Sequence, residues 1–179
     1  MVTGDGGDSY EVLYAYQRFQ EADWEPVVAA PVRRRLHMVV YDQEPGWETY
    51  VERPGFTLEA DVAVTAVAAR EFTALMLLGG RAPEYLRNDA SVISLVREFA
   101  RLNKCIFAIG HGIQLLTAAD LVKGRIVAPH PNVRIEVERA GGISSDEIAI
   151  RDDRMVTAHG WKAHPLFYRV VFACLGQPA

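Results

Sequence analysis

The stretch Cys105-Ile106-Phe107-Ala108-Ile109-Gly110-His111-Gly112-Ile113-Gln114-Leu115-Leu116 decides the fold. Its first five residues form an unbroken apolar run, the mark of a parallel strand covered on both faces. Gly110-His111-Gly112 stops the run, and Ile113, Leu116 and Ala119 or Asp120 then fall along a helix. Gly124 is expected to close that helix, because glycine readily takes the left-handed conformation of a helix C-terminus. A buried strand turning sharply into a helix has the architecture of a nucleophile elbow. It sets one residue at a helix start, where backbone N–H groups and the helix dipole favour negative charge.

Upstream, Phe72 to Leu78 is a second continuous apolar run, ended by Gly79-Gly80. Asn88 or Asp89 then opens an amphipathic helix with Val92, Leu95, Val96, Phe99 and Leu102 on one stripe. Asp8 or Ser9 can cap a helix starting near Tyr10, with Val12, Leu13, Tyr16 and Phe19 as its apolar side. Glu25 to Pro31 and Leu36 to Tyr41 read as short strands; the polar residues 42–53, broken by Pro45-Gly46, read as a loop or hairpin. Ile126-Val127, Ile148 to Ile150 and Met155 to Ala158 are later strands, and Pro165 suits the first turn of a last helix, Leu166 to Leu175. Strands alternating with helices imply parallel pairing through right-handed crossovers. The expected fold is α/β, a doubly wound, mostly parallel sheet between helix layers, as one domain over residues 1–179.

The chain is long enough for one substantial core and too short for two comfortable domains. Its net charge of −4 argues against nucleic acid or an anionic membrane as the main partner. Arg33-Arg34-Arg35 reads as a surface turn. The two cysteines lack metal spacing and are too few for a disulfide framework, so a cytoplasmic location is expected. No apolar stretch is long enough to span a bilayer, and no signal-peptide pattern opens the chain. Neither a metal nor another cofactor is expected, because no ligand grouping or phosphate-binding glycine motif is present.

Three blocks then carry a resemblance. Ala108-Ile109-Gly110-His111-Gly112-Ile113-Gln114-Leu115-Leu116 resembles the PfpI pattern in which a cysteine precedes His-Gly, with Gly110 at the cysteine's position. Leu78-Gly79-Gly80-Arg81-Ala82-Pro83-Glu84 is similar to that family's Pro-Gly-Gly-Arg-Ala-Pro-Glu block, and Gly4-Asp5 with Tyr10-Glu11-Val12 to its first loop. Leu121 to Arg125 and Ala140-Gly141-Gly142 also fall at family-like positions. The chain is thereby identified as a divergent member of the PfpI superfamily, of the class I glutamine-amidotransferase-like type, lacking the nucleophilic cysteine. The resemblance implies a flavodoxin-like sandwich and assembly into dimers or larger homo-oligomers. It matches Glu11 to a glutamate that contacts the cysteine, and Glu84 to one reaching the site across a subunit interface. His130 stands where relatives carry Tyr or His near the pocket, and Trp161 and His164 lie at a junction that approaches it. The family's first strand is reduced here to about Met1-Val2-Thr3.

Covalent catalysis needs its nucleophile, and Gly110 offers none. Cys105 lies about five residues back along the strand, roughly 16 Å away; Cys174 reads as a buried apolar filler. What remains is a pocket with Glu11 and His111 as candidate catalytic residues and Gly80, Glu84, Gly110, Gly112, His130 and Trp161 as candidate substrate contacts. A glutamate facing an apolar pocket has its charged form disfavoured and its pKa raised toward a range useful for proton transfer. The expectation is noncovalent acid–base chemistry on a small metabolite, of lyase, hydratase, isomerase or cyclase type, as in an enzyme recruited to specialised metabolism. Two other readings stay open: a non-catalytic protein binding a metabolite or partner, and a glyoxalase, deglycase or hydrolase silenced by a Cys-to-Gly replacement. Each residue also has a plain structural reading. Glu11 and Glu84 sit near helix starts, His111 can simply cover the turn, and Trp161 can pack under the last helix.

Overall fold

Asp8 sets the first helix, its carboxylate accepting from the amides of Tyr10 at 2.8 Å and Glu11 at 3.3 Å. Without such an acceptor those first-turn donors would have no partner. The structure, a computed structural model, describes residues 1–177; the last two positions of the expected domain lie outside the described residues. In chain order the elements are α1 (Ser9–Glu21), β1 (Ala29–Ala30), β2 (Arg35–Asp42), β3 (Val51–Glu59), β4 (Val62–Ala63), β5 (Ala74–Leu77), α2 (Ala82–Leu86), α3 (Ala90–Arg101) and β6 (Cys105–Ile109). They continue with α4 (Ile113–Ala118), β7 (Ile126–Val127), α5 (Arg134–Arg139), β8 (Ile143–Ser144), β9 (Ala149–Asp152), β10 (Met155–Ala158) and α6 (His164–Cys174).

Val2 bridges in parallel to both Ala29 and Leu77, and so joins the β1–β4 pair to the run β5–β6–β10–β9. Pairing is parallel throughout this sheet except for β9, which lies antiparallel to β10. Side chains along the central strands alternate between two cores, as the two-residue period of a strand requires. Leu75, Leu77, Ile106, Ala108 and Met155 face α3, α4 and α5. Met76, Leu78, Phe107, Ile109 and Val156 face α1 and α6, against Val12, Phe19, Phe167 and Phe172. Both faces of the sheet are thus covered, which is why the strand sequences are apolar without interruption. The α/β sandwich expected from the sequence is what the chain forms.

Several boundaries differ from the expectation. The helix after the turn ends at Ala118, six positions before Gly124; Asp120 takes the left-handed conformation, at φ +61°, which aspartate tolerates better than most residues. The proposed strand Glu25–Pro31 is regular only at Ala29–Ala30. Residues 43–50 connect a hairpin whose second arm, β3, the sequence concealed: it is largely exposed and contains Pro54-Gly55, so it has neither a buried run nor strict alternation. Cys174 is partly exposed rather than a buried filler. Among the described residues, no helix is long and apolar enough to cross a membrane.

Candidate active site

Since β5, β6 and β10 run parallel, Leu78-Gly79, Gly110 and His159-Gly160 emerge at one edge of the sheet. That edge is where open parallel sheets place ligand sites. The first loop closes over it: the Asp8 amide donates to Gly79 O at 3.4 Å and the Arg81 amide to Gly6 O at 2.9 Å. Gly80 makes this approach possible, because a Cβ there would run into Asp8 N and Gly6 O. Gly112 plays the same part on the other side, its missing Cβ leaving room for the carbonyl of Leu77. Both glycines therefore shape the turn through their backbone.

Gly110 sits at the apex with φ +57°. A Cβ on it would lie 2.8 Å from Glu11 Oε1 and 3.3 Å from Oε2, so the position that a side chain would occupy faces the Glu11 carboxyl. Glu11 has the helix position and spacing, Asp8-x-x-Glu11, of a capping box, in which it would fold back onto the Asp8 amide. It does not. The Asp8 amide goes to Gly79, and Glu11 Oε2 instead accepts from the Gly79 amide at 2.9 Å, 68 positions away in sequence. The helix-capping reading of Glu11 is thereby set aside.

Glu11 is 3 % exposed. Burial first, then the charge of Asp8, pushes its pKa up to about 8, while the amides of Gly79 and Trp161 pull the other way. At neutral pH the carboxyl is mostly protonated. Oε2 accepts from the Gly79 amide, and Oε1 is the oxygen nearer the Cβ position of Gly110. Asp8 is also buried, and burial raises its own pKa against the two amides it accepts.

Beyond the turn, His111 Nδ1 lies 4.0 Å from Glu84 Oε1 and has no hydrogen-bond partner. Burial lowers the His111 pKa, with Glu84 and Glu136 opposing, which favours the uncharged ring. His130 meets it edge-on at 4.9 Å between centroids. Its Nδ1 accepts from the Asn132 amide at 3.2 Å, so in the neutral ring the proton is on Nε2. Burial, then His111 and His159, lowers its pKa to about 4. His130 Cδ2 and Glu11 Oε1 lie 3.8 and 3.6 Å from the Cβ position of Gly160. Trp161 is 41 % exposed and its ring is tilted against Tyr10 at 5.6 Å, so it is not buried under α6.

The structure thus gathers Glu11, Gly110, Gly112, His111, His130 and the Trp161 backbone at one place. Glu84, which the resemblance places across a subunit interface, stands exposed beside His111 of its own chain. Sequence reasoning missed the Gly79 amide, Gly160, and the group behind His111 in which Glu136 accepts from Gln114 at 3.1 Å and Arg87 at 2.7 Å. Asp8 was read only as a cap, although its three-residue spacing from Glu11 puts both carboxyls on one helix face. The dipole invoked for the turn is short, since α4 is six residues long. No thiol is near: Cys105 begins β6 and Gly110 follows its end. Among the described residues, no three His, Cys, Asp or Glu side chains are grouped to hold a metal.

The DJ-1/PfpI family profile matches residues 1–173. This chain belongs to the DJ-1/PfpI family. It is 33 % identical over 146 residues to protein/nucleic acid deglycase 2 of Escherichia coli, covering 80 % of this chain and 85 % of that protein. To protein DJ-1 homolog D of Arabidopsis thaliana it is 33 % identical over 180 residues, 97 % of this chain but 46 % of the relative. The chain therefore spans about half the length of that plant protein. Among solved structures, a two-domain Anabaena variabilis protein with DJ-1/ThiJ/PfpI-like and ferritin-like domains superposes with a TM-score of 0.85 at 22 % identity, over 98 % of this chain and 47 % of that one. Schizosaccharomyces pombe DJ-1 gives 0.77 at 20 % identity, over 96 % and 88 %. These two establish the DJ-1/PfpI fold and nothing finer.

Proposed function

We propose that this chain catalyses noncovalent proton transfer on a small metabolite, in a family site whose nucleophile position has become Gly110. One observation carries the reading: a buried glutamic acid, protonated near neutrality, sets Oε1 against the bare Cα of Gly110, 2.8 Å from where a Cβ would lie. Glu11 donates that proton to an oxygen or carbon of the substrate. The carboxylate left behind is disfavoured by burial and by Asp8, so it readily recovers a proton, which suits lyase, hydratase, isomerase or cyclase steps. The amides of Gly79 and Trp161 keep the ionised form accessible. His111 orients substrate or relays the proton, His130 offers an Nε2–H donor, and the exposed Trp161 lies against Tyr10 beside them. The setting of this reading is a cytoplasmic homo-oligomer; the exposed Val40, Trp47, Tyr50 and Phe56 of the hairpin support assembly, which sedimentation would check.

A second reading rests on the relatives' names, since the Escherichia coli protein and one from Thermococcus kodakarensis are called deglycases. Under it the chain would act on glycation adducts through Glu11 without a thiol. One experiment separates the possibilities. Small oxo- and hydroxy-compounds, methylglyoxal-treated amino acids included, are incubated with the protein in deuterated water and followed by proton NMR. The proposal expects deuterium exchange, elimination or hydration that Glu11→Gln abolishes. Adduct reversal as the sole reaction favours the deglycase reading. Turnover indifferent to Glu11→Gln would defeat both, and ligand binding without chemistry would favour a binding protein.

A further inference from the structure

Far from the turn, Cys105 Sγ lies 3.1 Å from Cys174 Sγ, and both cysteines are free thiols. Cys105 is the first residue of β6 and is 5 % exposed; Cys174 is the last residue of α6 and is partly open to solvent. We propose that these two residues form a reversible thiol–disulfide site, oxidised by peroxide, that staples the end of α6 to the start of the central strand. The sulfurs need to close by about 1 Å to reach bonding distance, a shift within reach of side-chain rotation. The same packing contact also brings Cys105 Sγ to 3.6 Å from the Cys174 carbonyl oxygen. Neither thiol takes part in the chemistry proposed for the Glu11 site.

The staple bears on that site through the two elements it joins. β6 runs from Cys105 to the turn at Gly110, and α6 begins just after the Trp161 segment. Fixing their far ends restrains both elements.

The Cys174 thiolate, the more exposed, attacks a peroxide oxygen; the O–O bond breaks, giving a sulfenic acid and hydroxide, which is protonated to water. The Cys105 sulfur then attacks the sulfenic sulfur, the S–S bond forms, the S–O bond breaks, and a second water leaves. Two thiols lose two electrons and two protons, and one peroxide gains them. Burial and the facing Cys105 raise the Cys174 pKa to about 11, against the pull of Arg151 and Arg154. The thiolate is therefore scarce at neutral pH, and the site responds to sustained oxidant rather than to a brief pulse.

The test treats the intact chain with hydrogen peroxide, alkylates the remaining thiols under denaturing conditions, and reads intact mass, peptide map and melting temperature. The expected product is lighter by the two thiol hydrogens, resists alkylation, and yields one cross-linked peptide pair containing Cys105 and Cys174. Bridging residues 69 positions apart should raise the melting temperature by roughly 10 °C, reversibly with dithiothreitol. Cys174→Ser should lose both the cross-link and the shift. Four outcomes would overturn the proposal: unreacted thiols, Cys174 driven to sulfinic acid with Cys105 still alkylatable, bridges only between chains, or a cross-link without thermal gain.

Discussion

Placing a methyl group at the turn, Gly110→Ala, probes the geometry on which the site depends. With φ at +57°, any side chain at this position carries the left-handed penalty of about 1–2 kcal/mol. The new Cβ also meets Glu11 Oε1 at 2.8 Å, with Cδ at 3.4 Å behind it. Glu11 must then withdraw, which strains or breaks the 2.9 Å hydrogen bond from the buried Gly79 amide; leaving such a donor unpaired costs about 1–3 kcal/mol. Together these predict a loss of roughly 2–5 kcal/mol. For a chain of this size that is a fall of roughly 4–20 °C in melting temperature. Differential scanning calorimetry reads it directly. A double-mutant cycle apportions it: in a Glu11→Ala background, Gly110→Ala should lose only the backbone part, about 1–2 kcal/mol. If Gly110→Ala melts within a degree or two of the parent, or if the same loss persists without Glu11, the turn does not face the carboxyl as described.

Two further substitutions test the charges. The Glu11 pKa, about 8 in the folded chain against 4.5 unfolded, lies above its reference value. Its contribution is therefore full below pH 4.5 and is lost as pH rises through 8. Between pH 6 and 9 this linkage removes about 2–3 kcal/mol. Thermal melts should show the parent falling about 5–10 °C further than Glu11→Gln over that range, whereas parallel curves would contradict a buried neutral acid. His164 is 2 % exposed, stacked on Tyr14 at 4.5 Å, and both its ring nitrogens lack partners. Burial lowers its pKa from 6.5 to about 4, so its contribution is present above 6.5 and is lost as pH falls toward 4. His164→Phe should flatten the acid side of the stability profile between pH 7 and 5; an unchanged slope would show that the ring titrates freely.

What the sequence disclosed follows from which interactions are local. Cys105 to Ile109 and Phe72 to Leu78 show their two-sided burial directly, since every residue in a doubly covered strand must be apolar. The Asp8 cap and the α3 stripe are likewise short-range patterns. The hairpin arm Val51–Glu59 stayed hidden because an exposed strand satisfies its backbone by pairing and leaves its side chains uncommitted. Among the site residues, Glu11 and His111 were readable through motif resemblance and chemistry. The partners that give Glu11 its character were not, because Gly79, Trp161 and Gly160 reach it only through the crossover topology. The end of α4 was misplaced for a related reason: Gly124 was the obvious terminator, yet Asp120 takes the left-handed position first.

The most direct measurement is a carbon-13 NMR titration of the Glu11 carboxyl, assigned by comparison with Glu11→Gln. The account predicts a midpoint about 8, with the signal of a neutral acid at pH 7. A carboxylate signal persisting down to about 4.5, the ordinary range for glutamate, would contradict it.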